Sequence, residues 1–225
     1  MPDKCFCEAI RLSPPVQPVN AVSSLAFVVV AVLVLVTAVR FRTSGQTAMR
    51  NRMNSEIVYP ALFALALVVV GVGSFAFHAK LTFQTQFADV FGMYLIATFI
   101  LIYNLGRFRP INAITLIAGY LGFNAVLAAS LYYLPSLRRY LFAAIIIGAL
   151  SLERMYRRGH EVTANTRRLI AAIVLLGVGF TIWIGDITRI ACSPHSWLQG
   201  HAIWHLLGAA ASWYVYSYYR SEIEA

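Results

Sequence analysis

Seven stretches of mostly apolar residues, each close to the length of a bilayer crossing, constrain this chain more than any other feature. A membrane span needs about 20 such residues in a helix, and by that ruler the segments fall at roughly 20–39, 57–77, 86–104, 111–131, 138–152, 169–187 and 199–219. Of the 225 residues, 60% are hydrophobic and 12% charged, too much apolar surface in runs too long for one water-soluble core. The expected fold is therefore all-α: an integral membrane protein built as one seven-helix domain over residues 1–225. The start of the fifth segment is blurred by Arg138 and Arg139 in "LPSLRRY", so its limit is open by several residues. The first segment, "NAVSSLAFVVVAVLVLVTAV", exceeds a secretory h-region and lacks a basic leader and small-residue cleavage site, so it reads as a retained helix.

Orientation follows from the cations. The formal charge of +9 does not gather on an aromatic-interleaved face, which argues against a nucleic-acid partner. With the N-terminus outside, the inward loops and tail carry Arg40, Arg42, Arg50, Arg52, Arg107, Arg109, Arg154, Arg157, Arg158, Arg167, Arg168 and Arg220, twelve in all. The outward segments carry Lys4, Arg11, Lys80, Arg138, Arg139 and Arg189, which is six. This bias obeys the positive-inside rule and puts the C-terminus in the cytosol. Membrane lipids are the expected surroundings, in a plasma or inner membrane or a secretory-pathway membrane, and no obligate protein partner is implied.

Against that apolar background, "GSFAFHAKLTFQTQFAD" places Ser74, His78 and Asp89 at the outer ends of spans 2 and 3, with Asp89 expected in the first turn of its helix. Span 7 opens at the same depth with "QGHAIWHLLG". His201 and His205 are four apart and share a helix face, as do Ser74 and His78. An HxxxH pair alone is a weak signal. Ionisable groups inside a span are costly, however, and usually face a bundle interior or wet cavity. Three neutral imidazoles with one open position match a catalytic zinc site, with Asp89 placed to handle the proton.

Other residues read more plainly. Asp186, in "WIGD", either orients a ligand histidine or pairs with Arg189. Gln86, Tyr94 and Trp204 read as packing or hydrogen-bond partners, His160 and His195 as solvated loop residues, and Trp183, Trp197, Trp213 and "YVYSYY" as interfacial anchors.

Three blocks carry a resemblance: "CEAIRLSPPVQPVNAVSSLAF", "GSFAFHAKLTFQTQFADVFGMY" and "WIGDITRIACSPHSWLQGHAIWHLLGAAASWY". In them the chain resembles the alkaline ceramidases, membrane amidases of a wider seven-span hydrolase superfamily that includes the adiponectin and progestin receptors. The resemblance implies zinc on His78, His201 and His205, Asp89 acting on the attacking water, Ser74 stabilising the oxyanion, and a ceramide-like lipid amide as substrate. It also implies a disulfide between Cys7 and Cys192, with three free thiols, or Cys5 in place of Cys7, as the alternatives. Calcium is not expected: Glu8 is kept, but Gln17 stands where the resemblance implies a second acid, and Ile10 and Arg11 where it implies an amide. That set is too poor in oxygen ligands. The alternative function is a non-catalytic seven-helix receptor or transporter with a structural zinc site, which would have no need of Asp89 and Ser74 beside an open position. Span 7 has no lysine for a retinal Schiff base.

Overall fold

The computed structural model describes residues 6–43, 51–108, 111–161 and 163–223. Cys5, Lys4, Arg50 and Arg109, invoked above, lie outside them. Among the described residues nine α-helices follow in order: α1 Pro18–Ser24, α2 Ala26–Thr43, α3 Arg52–Ser55, α4 Val58–Lys80, α5 Phe83–Arg107, α6 Ala113–Tyr133, α7 Arg138–Gly159, α8 Thr166–Ile187 and α9 Gly200–Arg220, with a 3₁₀ turn Pro135–Leu137 before α7. Among the described residues there is no strand, only an isolated bridge between Thr163 and Ile223.

Local chemistry accounts for the boundaries. Pro18 takes the first turn of α1, where its missing N–H costs nothing. The Glu8 carboxylate, from the preceding segment, accepts the free N–H groups of Val19 and Asn20 at 2.8 and 2.9 Å. α4 ends on Leu81 in the left-handed region, at φ 50°, and Thr82 and Thr85 then cap α5 reciprocally. Starting α5 at Phe83 moves Asp89 from the expected first turn to the second, deeper in the bundle. α7 runs past the expected limit of 152 because its charged end is not solvated: Glu153 is buried against Arg107.

Among the described residues six helices are long and apolar enough to cross a membrane, at Pro18–Arg42, Val58–Lys80, Phe83–Arg107, Ala113–Tyr133, Pro135–Gly159 and Thr166–Ile187. The first combines α1 and α2. The segment expected at 199–219 is a helix of the right length, α9, yet it does not join the six. Its composition is more polar because its inward face carries His201, His205, Ser212 and tyrosines.

α4 lies at the centre, packed on α1, α2 and α5, while α9 closes the bundle against α8, α2 and α1. α6 and α7 pack on α5 from outside. Glycines set the closest approach of α4 and α5. A Cβ on Gly73 would stand 2.8 Å from the carbonyl carbon and oxygen of Ala88, and one on Gly92 2.7 Å from Cα of Val70.

The tyrosines of "YVYSYY" correct the interfacial reading. Tyr216, Tyr218 and Tyr219 are buried. Their hydroxyls reach Val34 O at 3.2 Å, the Glu153 carboxylate, and Asn104 Oδ1 at 2.8 Å. A phenol satisfied by a polar partner is more stable inside than at the interface. Trp213 likewise packs against the main core, whereas Trp197 is exposed as expected.

Candidate metal centre

His78 comes from the last turns of α4, and His201 and His205 from the first turns of α9; all three are buried. One ring nitrogen from each lies within 4.8 Å of the other two, the only such cluster of three among the described residues. Nε2 of His201 is 3.1 Å from Nε2 of His78. Tetrahedral bonds of about 2.0–2.1 Å separate ligand nitrogens by about 3.3 Å, close to that spacing.

The opposite ring nitrogens fix the tautomers. Nδ1 of His78 is 2.8 Å from Gln17 Oε1, an acceptor, so Nδ1 carries the proton and Nε2 the lone pair. Gln17 is itself oriented by its Nε2, which donates to Glu8 O at 3.1 Å. Nδ1 of His205 is 2.9 Å from Ser23 Oγ, whose own hydrogen goes to Asn20 O at 3.0 Å, so here too the imidazole donates and Nε2 carries the lone pair. His201 Nδ1 is buried and has no hydrogen-bond partner among the described residues. Two lone pairs held inward from outside, in a pocket with a third imidazole, fit a divalent cation.

Ser74, one turn before His78 on α4, sets its Oγ 3.2 Å from His205 Nε2. Asp89, on α5, interacts with the same hydroxyl. Both line one cavity of about 200 Å³ with His201 and His205, room for several waters or part of a ligand. Around it stand Phe6, Phe77, Met93, Phe142, Trp183 and Trp204. Trp183 and Trp204 thus line the cavity, Trp204 also packing on Phe180 and Trp183 with ring centroids 6.3 and 6.5 Å away. Arg138 and Arg139 reach the same cavity, and Arg139 lies 5.2 Å over the Trp183 ring. Gln86 is also in its wall, while Tyr94 is a packing residue whose hydroxyl donates to Arg138 O at 3.0 Å.

Asp186 forms no ion pair with Arg189 and no hydrogen bond to an imidazole among the described residues, and it holds the ligand histidine His201 through its backbone. Its Oδ1 accepts the backbone N–H of His201 and its Oδ2 that of Cys7, each at 3.1 Å. One carboxylate thereby caps α9 and pins the N-terminal segment across it. Cys7 and Cys192 are joined, Cα to Cα 5.4 Å, over a separation of 185 residues. The neighbouring Phe6 lies on the rings of His201 and His78, with centroids 4.2 and 5.0 Å away. His195 is exposed, and exposed His160 stacks on Tyr156.

Gln17, Ser23 and Phe6 were not anticipated as part of the site. A signal was available for the first two. Gln17, Asn20, Ser23 and Ser24 recur at helical spacing at the outer end of an otherwise apolar span, and such a polar cluster at the depth of the histidines requires partners.

The fold and the cluster define an all-helical membrane protein with a buried centre able to hold a metal ion. The ceramidase family model matches residues 14–223, nearly the whole chain, and the protein belongs to the ceramidase family. Comparison with curated proteins gave no match.

Proposed function

We propose that this ceramidase-family protein is a zinc-dependent amidase that hydrolyses ceramide-type lipids to a sphingoid base and a fatty acid within the membrane. The observation that carries the reading is the meeting of three inward imidazole nitrogens, the Ser74 hydroxyl and the Asp89 carboxylate at one cavity. In such a site zinc lowers the pKa of water to about 7 and polarises a carbonyl. His78, His201 and His205 would hold it. Asp89 takes a proton from the attacking water as the C–O bond forms, and returns it to the amide nitrogen as the C–N bond breaks. Ser74 donates its hydroxyl hydrogen to the carbonyl oxygen as negative charge develops there. Water and amide give one carboxylic acid and one amine. Phe6 covers the rings of two of the histidines. A purely structural zinc would need neither Ser74 nor Asp89, which argues against a non-catalytic receptor.

The topology proposed with this mechanism is one domain of seven spans, α9 being the seventh, with the N-terminus outside and the C-terminus cytosolic. α9 is 21 residues long, about 31 Å of helix, enough to cross the hydrocarbon layer. Its polar face turns inward on the bundle.

The test is zinc content by mass spectrometry together with fatty acid release from a fluorescent ceramide in detergent. Wild-type protein should carry about one zinc and release product; Asp89→Asn should retain zinc and lose activity by about 10²-fold or more. Zinc absent from pure active wild type, or unchanged in a His201→Ala, His205→Ala variant, would sink the mechanism.

A further inference from the structure

Below the cavity at the histidines lies a second of about 140 Å³, and the two adjoin as the halves of a slot, sharing Phe27, Val70, Met93, Phe142 and Trp204 as walls. It exists because α7 packs on α5 and α8 on α9, while α7 and α8 scarcely meet. One end holds Ser74, Asp89, His201 and His205; the other holds Asn104, Glu153 and Tyr219. From His205 to Tyr219 is fourteen residues of α9, and from Asp89 to Asn104 fifteen of α5, so the helices put the far end about 21–23 Å from the centre. Between the two ends the wall of the lower cavity is apolar except for Ser212, whose hydroxyl is turned back to Gly208 O at 2.9 Å.

The far end is ionic. Glu153 and Glu222 both pair with the buried guanidinium of Arg107, the latter at 2.6 Å, and Tyr218 donates to Glu153. Asn104 accepts from Arg107 at 3.1 Å and from Tyr219 at 2.8 Å, and Arg107 stacks 4.1 Å over Tyr156. A hydrocarbon tail cannot enter such a cluster without parting groups that have no water to turn to.

We infer that the Arg107–Glu153 pair is the floor of the slot that receives the acyl chain, and that its depth sets the longest chain hydrolysed efficiently. The inference rests on the ceramidase reading. An extended chain of C–C bonds near 1.5 Å at tetrahedral angles advances about 1.25 Å per carbon, so about 16 carbons reach from the histidines to Glu153. Each further methylene finds no apolar wall, forfeiting about fourfold in kcat/KM relative to a seated one.

Ceramides with acyl chains of about 6 to about 24 carbons, tested on wild type, Glu153→Ala and Ser212→Phe, decide it, with melting temperature and zinc content as folding controls. In Glu153→Ala the remaining Arg107–Glu222 pair stays balanced in charge, and the optimum should move from about 16 carbons to longer chains. Ser212 is seven residues below His205, about 10 Å, so Phe there should move the optimum to about 8 carbons even if Glu153→Ala does not fold. If wild type cleaves no ceramide of any length, the catalytic reading fails on its own. The floor is then read from the fatty acids that copurify with each protein, by mass spectrometry. A retained-chain limit near 16 carbons that moves oppositely in the two variants supports the floor. Profiles that do not differ among the three proteins, or no retained chain in any, overturn it.

Discussion

Gln17 Oε1 stands 2.8 Å from Nδ1 of His78, and this contact fixes which nitrogen of the imidazole faces the centre. An amide oxygen only accepts, so the ring proton is drawn away from Nε2. Gln17→Leu keeps the volume and removes the acceptor, leaving the tautomer free and a buried N–H unpaired. The expected result is a loss of about 10- to 100-fold in zinc affinity, measured by titration with a competing chelator. Gln17→Glu, which still accepts, should retain affinity near wild type. Equal loss in both variants would mean that the position acts only through packing.

The α4–α5 contact makes a second case. Gly73 lets the backbone at Ala88 and Asp89 approach Ser74's helix, and a Cβ there would stand 3.0 Å from the Asp89 nitrogen. Backbone on both sides leaves no flexible side chain to yield. Gly73→Ala should push Asp89 outward while leaving all three histidines in place. A misplacement of about 1 Å costs on the order of 10²-fold in rate, so activity should fall that far with zinc content unchanged. Full activity in a folded Gly73→Ala protein would remove the positioning role.

These two positions mark what could be read from sequence alone. Ser74, His78, Asp89, His201 and His205 stood out because each contradicts an apolar surrounding, and the five do meet at one end of the bundle. Gln17 was read for what it lacked, a charge for calcium, and not for the amide oxygen it offers to a histidine 61 residues away. The long helices followed from apolar run length. α9 was the exception in composition, since a helix with a functional inner face must dilute its hydrophobicity. The burial of Tyr216, Tyr218 and Tyr219 was not legible either, because a tyrosine's place is decided by whether a partner such as Glu153 waits inside.

Cys7 and Cys192 supply a prediction about the cover of the site. Their link and the Asp186 bridge both hold the segment that lays Phe6 on the histidines. Closing so long a loop stabilises by up to about 5 kcal/mol in the chain-entropy model, less where the unfolded chain keeps its membrane helices. Cys7→Ser with Cys192→Ser should lower the melting temperature and raise the rate at which zinc is lost to a chelator. Non-reducing peptide mapping should yield one fragment joining Cys7 to Cys192. Complete alkylation of both thiols without reductant would exclude the bond.

Glu8 leads to the statement on calcium. Its carboxylate oxygens already accept from Val19 and Asn20, and its carbonyl accepts from Gln17, so the acid is engaged as a helix cap and as a brace for the glutamine that orients His78. A cation taking those oxygens would have to release the N–H groups of Val19 and Asn20, and the neighbouring Ile10 and Arg11 supply no side-chain oxygen in return. Calcium asks for six to eight oxygens, several charged. Activity should therefore be indifferent to a calcium-selective chelator and to added calcium. Glu8→Ala should still be harmful, for another reason: loss of the cap costs about 1–2 kcal/mol in stability, and a loosened Gln17 weakens zinc retention. Glu8→Gln, which keeps one oxygen for the cap, should recover part of the stability. A collapse of activity on chelation that calcium alone restores would show that Glu8 serves a cation and not the helix.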